Sequence, residues 1–193
     1  MGSINSPLKI GMTGHFEDEI AEITGKVVLV DEFGLEWNHW YLEAKESDSF
    51  WIREYTDEGE DGEDELLYEI LSIVEEGDIQ DEEDINFGVD FKDGDEKLAY
   101  KIFADWKNFK NLSMINKLKV ESIEGNQPEK KFAKGEYIKV MDVSFADDEE
   151  EEAVLLEEDE MIVDTSIMWS EENTWVFGME YLEENDIKKI FAL

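Results

Sequence analysis

The chain contains no cysteine. That excludes a disulfide framework, a thiolate metal site and a cysteine nucleophile, and it fits a reducing compartment. Arginine is almost as scarce, with Arg53 the single one among 17 basic residues against 53 acidic residues. Nucleic acid and anionic membrane surfaces are poor partners for such a chain, because binding them takes clustered lysine and arginine to displace condensed counterions. No window approaches the ~18 consecutive apolar residues of a membrane span. The start, MGSINSPLKIGMTG, has no cationic segment leading into an apolar run. These absences lead us to expect a cytoplasmic protein without membrane insertion. Glycine-rich phosphate loops, GxSxG elbows and HExxH helices are also missing.

What is present is acid and aromatic. The net charge is −36 over 193 residues, yet 41% of the residues are hydrophobic and 12% aromatic. This is enough apolar material for a packed core, so the charge does not imply disorder throughout. A chain of this length forms one compact domain or two small ones. Adaptation to high salt is another route to an acidic surface. The attracted partners are a basic protein first, with polyamines and divalent cations as weakly held alternatives.

The apolar residues come mostly in short runs of β-branched and aromatic side chains punctuated by Gly, Asn and Asp, which predicts strands. Ile20–Val30 is the first, with Gly25 as a bulge or turn. Leu35–Leu42 and Ser49–Tyr55 follow, joined by a polar turn at Lys45–Asp48, and Leu66–Val74 reads as a further strand. Later strands are expected at Leu98–Ala104, Leu112–Ile123, Glu136–Val143, Ala153–Leu156, Met161–Ile167 and Thr174–Leu182. Glu124–Pro128 reads as a turn leaving a strand. In the closing stretch, Ile187, Ile190 and Phe191 share a helical face after an N-cap at Asn185 or Asp186. A faint echo between Gly25–Val30 and Gly135–Val140 suggests duplication. The expected fold is therefore mainly β: two small antiparallel lobes, residues 1–95 and 96–193, with a short C-terminal helix, or one compact domain.

The densest signal is Gly34–Trp51, GLEWNHWYLEAKESDSFW, with three of the six tryptophans. Trp37 and Trp40 are three apart and so project from opposite faces of a regular strand. Core packing against Trp51 is one expectation; a stacking platform with one ring exposed, and His39 and Arg53 as polar neighbours, is the other. The acidic runs supply the second set of candidate binding residues: Asp57, Glu58, Glu60 and Asp61 in DEGEDGEDE, and Asp147, Asp148, Glu149 and Glu150 further on. Acidic runs of this kind, DEGEDGEDE at Asp57–Glu65 and EEGDIQDEED at Glu75–Asp84, are expected to be solvated loops. The spacing in the first does not match a calcium-binding EF-hand loop, since its third ligand position is Gly59 and its twelfth Tyr68. No catalytic residue, metal site or cofactor is expected.

In their order along the chain, Trp37-Asn38-His39-Trp40, Trp51-Ile52-Arg53-Glu54, Glu124-Gly125-Asn126-Gln127-Pro128 and Phe177-Gly178-Met179-Glu180-Tyr181-Leu182 form a recognisable series. It resembles the bacterial domain-of-unknown-function family 4178 from about Leu8 to Leu182. His39 departs from the acidic residue usual there, and the acidic inserts have no counterpart. The resemblance implies a β-rich fold and a bacterial or phage accessory role, with no catalytic residues to carry over.

Charge and missing catalytic motifs together predict a non-enzymatic accessory module that docks a basic protein. The alternatives are a DNA mimic that inhibits a nuclease or another DNA-binding enzyme, a polyamine or divalent-cation binder, and an uncharacterised enzyme.

Overall fold

The computed structural model describes residues 4–59, 61–73, 109–112, 116–145 and 164–193. Among them the chain forms ten strands and one short helix: β1 (Thr13–Phe16), β2 (Glu19–Asp31), β3 (Glu36–Ala44), β4 (Phe50–Glu58), β5 (Asp64–Ile73), β6 (Phe109–Leu112), β7 (Asn116–Gly125), β8 (Tyr137–Phe145), β9 (Asp164–Trp169), β10 (Thr174–Leu182) and α1 (Glu184–Ile190). The protein is mainly β, as the short β-branched runs indicate. The strands expected at Leu98–Ala104 and Ala153–Leu156 lie outside the described residues.

Two compact units are present, but they do not divide the chain by halves. The first comprises Met1–Ser72, Lys117–Tyr137 and Glu180–Leu193; the second comprises Ile73–Asn116 and Ile138–Met179. The two small antiparallel lobes expected from the sequence, one from each half of the chain, are thus not what forms. The reason is pairing across the sequence: β7 runs antiparallel to β2, with Leu29 opposite Val120 and Val27 opposite Ile123.

In the first unit, β1 to β5 are joined in sequence order by antiparallel pairing. Along one edge of β2, β1 takes Glu19–Glu22 and β7 takes Gly25–Asp31, while β3 takes the other edge. The register slips between Ile23 and Gly25. Ile23 is opposite Leu42, yet Val27 is opposite His39, one face further round. Ala21 and Ile23 thus bury on one side of the sheet, and Val27 and Leu29 on the other. Gly25 is needed there because a β-carbon would fall 1.8 Å from the Asn126 carbonyl oxygen.

β3 and β4 are buried on both faces: Asn38 to Leu42 and Phe50 to Glu54 are all buried. One face carries Trp40, Leu42, Phe50, Ile52 and Tyr68, and it is covered by Leu8 from the N-terminal segment and by Ile187 and Phe191 of the α1 region. α1 begins with a capping box in which Glu183 and Asp186 satisfy each other's backbone N–H groups. The cap thus lies at Glu183 rather than at Asn185 or Asp186, while the predicted apolar face is the one that buries.

The second unit contains the antiparallel pairs β6–β8, β8–β9 and β9–β10. Its buried residues include Val140, Met141, Ile167, Met168, Trp169, Trp175 and Phe177. Ser166 and Asp142 are cross-strand neighbours, and the serine hydroxyl donates to the carboxylate at 2.6 Å.

Candidate functional site

Registered pairing aligns side chains across β3, β4 and β5 in rungs. His39 is opposite Arg53, and Arg53 is opposite Glu69. The guanidinium Nη1 lies 2.9 Å from Glu69 Oε2, and both side chains are out of water. Tyr55 donates to the other Glu69 oxygen at 3.1 Å. Trp37 stacks on Tyr55 at 5.3 Å between centroids, and Arg53 lies 5.5 Å from the Trp37 ring. The lone arginine is therefore held by a carboxylate and an aromatic face, a desolvated arrangement that suits a planar, weakly hydrated cation.

His39 has no such carboxylate. It is fully buried, neither ring nitrogen has a hydrogen-bond partner, and the rings of Trp51 and Phe132 approach within 6.3 and 6.2 Å. Burial holds its pKa well below the usual value, and the positive charge of Arg53 pushes it the same way.

The opposite face of the same strands carries a different polar centre. Glu54 is fully buried. It accepts from Asn38 Nδ2 at 2.9 Å, from Trp40 Nε1 at 3.2 Å and from the Ser6 hydroxyl at 2.7 Å. The Tyr68 phenol, also on this face, is pushed to a higher pKa by burial first and by the Glu54 carboxylate next. Lys26 lies 4.6 Å from the Trp40 ring.

The structure thus brings Trp37, His39, Trp51 and Arg53 to one face of the sheet and Trp40 to the other, all of them buried except the half-buried Trp37. Trp37 and Trp40 do project to opposite faces; both faces are covered, Trp40 being buried and Trp37 half-buried. The expectation of an exposed stacking ring with His39 and Arg53 at its rim is corrected accordingly. Glu54, Glu69, Asn38, Ser6 and Phe132 were not singled out from the sequence. Glu54 sits in the short run FWIREY, where the charged pair hides whether both faces bury, and no local pattern marks the other four.

The first acidic run is folded, where a solvated loop was expected. β4 and β5 extend to its tip, placing Glu58 opposite Asp64 and Asp57 opposite Glu65. The turn is closed by bonds from Gly59 N–H to the Glu63 carbonyl and from Gly62 N–H to the Gly59 carbonyl, with Gly62 at φ 80°. A left-handed residue at that place is what glycine supplies without strain. Asp57, Glu58, Asp61, Glu63, Asp64 and Glu65 are all exposed. Glu60, the run Glu75–Asp84, Asp147, Asp148, Glu149 and Glu150 lie outside the described residues.

Among the described residues no group of three or more histidine or acidic side chains is arranged to hold a metal ion, and no helix is long and apolar enough to cross a membrane. A shallow groove of about 240 Å³ runs between the end of β2 and β7, with Lys117, Lys119 and Tyr137 in its wall.

No protein-family model matches this chain, and neither a curated protein nor a solved structure matches it.

Proposed function

We propose that this protein is a non-enzymatic acidic module that docks a basic protein, and that the β4–β5 hairpin tip is its contact surface. One observation carries the reading: carboxylates are set directly opposite one another in a paired β-ladder. Like charges across a ladder are destabilising, and a chain that merely needed solubility could leave them in a loose loop. A folded tip instead holds six exposed carboxylates in a fixed array, so a cationic partner meets a preorganised surface. No basic residue interrupts residues 57–65. The buried polar rungs give the sheet beneath the tip a fixed register.

The test is capture of the partner from the native host, followed by affinity measurement at low and high salt. The partner should be basic, and its affinity should fall by about tenfold or more as the Debye length shrinks from roughly 10 Å toward 3 Å. A variant carrying Glu58→Gln, Asp64→Asn and Glu65→Gln should lose most of that salt dependence while remaining folded. An acidic partner, or binding indifferent to salt, would sink the reading.

A further inference from the structure

Between β7 and β8 the loop 126–136 lies largely at the surface. Lys130, Lys131, Ala133, Lys134 and Gly135 are exposed, and Phe132 alone is fully buried. Its ring stands edge-on to Trp51 at 5.6 Å and 78°, and to His39 at 6.2 Å and 80°. Gln127 brackets this residue, accepting from the Phe132 N–H at 2.9 Å and donating to the Phe132 carbonyl at 3.2 Å. The ends of the loop are tied by backbone bonds, Asn126 N–H to the Thr24 carbonyl and Gly135 N–H to the Val120 carbonyl, whereas its middle is seated by one ring, and that ring caps an imidazole with no hydrogen-bond partner.

The groups around His39 offer an imidazolium nothing. Arg53 opposite it on β4 is cationic, Val27 opposite it on β2 is apolar, and Trp37 and Tyr41 flank it on β3. The carboxylate of Glu69 lies one strand further on and already takes Arg53 and Tyr55. Water is the remaining acceptor, and lifting Phe132 out of an otherwise largely exposed loop admits it.

We propose that His39 and Phe132 form an acid-operated latch, in which protonation of the imidazole expels the ring and releases loop 126–136, with its three lysines, while β3 and β4 stay paired. The sign follows from linkage. With the latch closed the imidazole titrates well below 6.5; once wetted, it moves back toward that value. The open form therefore binds a proton that the closed form does not. Its share rises as pH falls through about 6.5, at a rate that approaches about tenfold per pH unit, until the lower value is reached.

Amide hydrogen exchange at pH 7.5, 6.5 and 5.5, corrected for intrinsic exchange rates, tests this. Opening of the middle of loop 126–136 should increase by about fivefold between pH 6.5 and 5.5 in the wild type, with β3 and β4 amides still protected. His39→Gln and His39→Leu should each flatten the loop's response, and Phe132→Ala should leave it open at every pH. Imidazole NMR of the wild type provides a readout free of substitution, because the only other histidine, His15, is exposed on β1 and serves as the reference in the same spectrum. The latch is overturned if the loop does not open by pH 5.5, if it opens only together with β3 and β4, if its pH response survives in the folded His39 variants, or if His39 remains neutral while it opens.

Discussion

Arg53 and Glu54 are adjacent in β4 and lie on opposite faces of the sheet, so one strand buries two charges of opposite sign in two different ways. Arg53 is met by a full counter-charge, Glu69. Glu54 is met by neutral donors from Ser6, Asn38 and Trp40. An ion pair repays desolvation only while both partners remain, whereas a carboxylate held by several dipoles loses its support in portions. The arginine face should therefore fail abruptly, and the glutamate face by degrees.

The largest effects are expected on the arginine face. Glu69→Ala leaves a buried guanidinium without its carboxylate and should cost about 3–5 kcal/mol in denaturant unfolding. The double replacement Arg53→Met with Glu69→Leu should recover most of that loss; if it does not, the pair is more than charge compensation. Trp51→Ala on the same face should cost a similar ~3–5 kcal/mol, and Trp37→Ala less, because Trp37 is only half-buried. Equal losses for the two would mean that the stacked Trp37–Tyr55 pair is as structural as the ring beneath Phe132.

On the glutamate face, Asn38→Ala or Ser6→Ala should each cost about 1.5–3 kcal/mol, since each removes one hydrogen bond to a charged acceptor. Tyr68 adds an alkaline signature to this face. Its phenol titrates higher in the folded chain than its ordinary value near 10, so the folded form keeps a proton that the unfolded form gives up. Stability from this group is complete below pH 10 and is lost as pH rises above it. Tyr68→Phe should abolish that part of the alkaline decline, as followed by unfolding at pH 9 to 11.5. Smallest of all, Glu58→Gln at the hairpin tip should stabilise by about a few tenths of a kcal/mol, more at low salt, by removing one carboxylate facing Asp64.

How much of this the sequence revealed depended on whether local pattern and long-range pairing agreed. Thr174–Leu182 is the same in the reading and in the structure, because a bounded β-branched and aromatic run needs no partner to be recognised. β2 shows the opposite. Ala21, Ile23, Val27 and Leu29 alternate as though they lined one face, yet the slip after Ile23 sends the last two to the other. The Thr13–Phe16 strand escaped notice because four residues of TGHF carry too little apolar content to stand out; they are a strand because β2 pairs with them. Of the site, tryptophan parity was legible. Burial of both faces was not, because the cover on Trp40 and Glu54 comes from Ser6 and Leu8 at one end of the chain and Ile187 at the other.

That cover has a consequence for how the protein is made. The face bearing Trp40, Leu42 and Ile52 is complete in sequence once β5 has left the ribosome, but the α1 residues that close it are encoded more than a hundred residues later. At about 5–20 residues per second, the interval is roughly 6–20 s, during which a large aromatic surface has only the N-terminal part of its cover. Nascent chains stalled before residue 184 should therefore be held by chaperones or cleaved by protease across β3 and β4, and chains carried past residue 191 should be released and resistant.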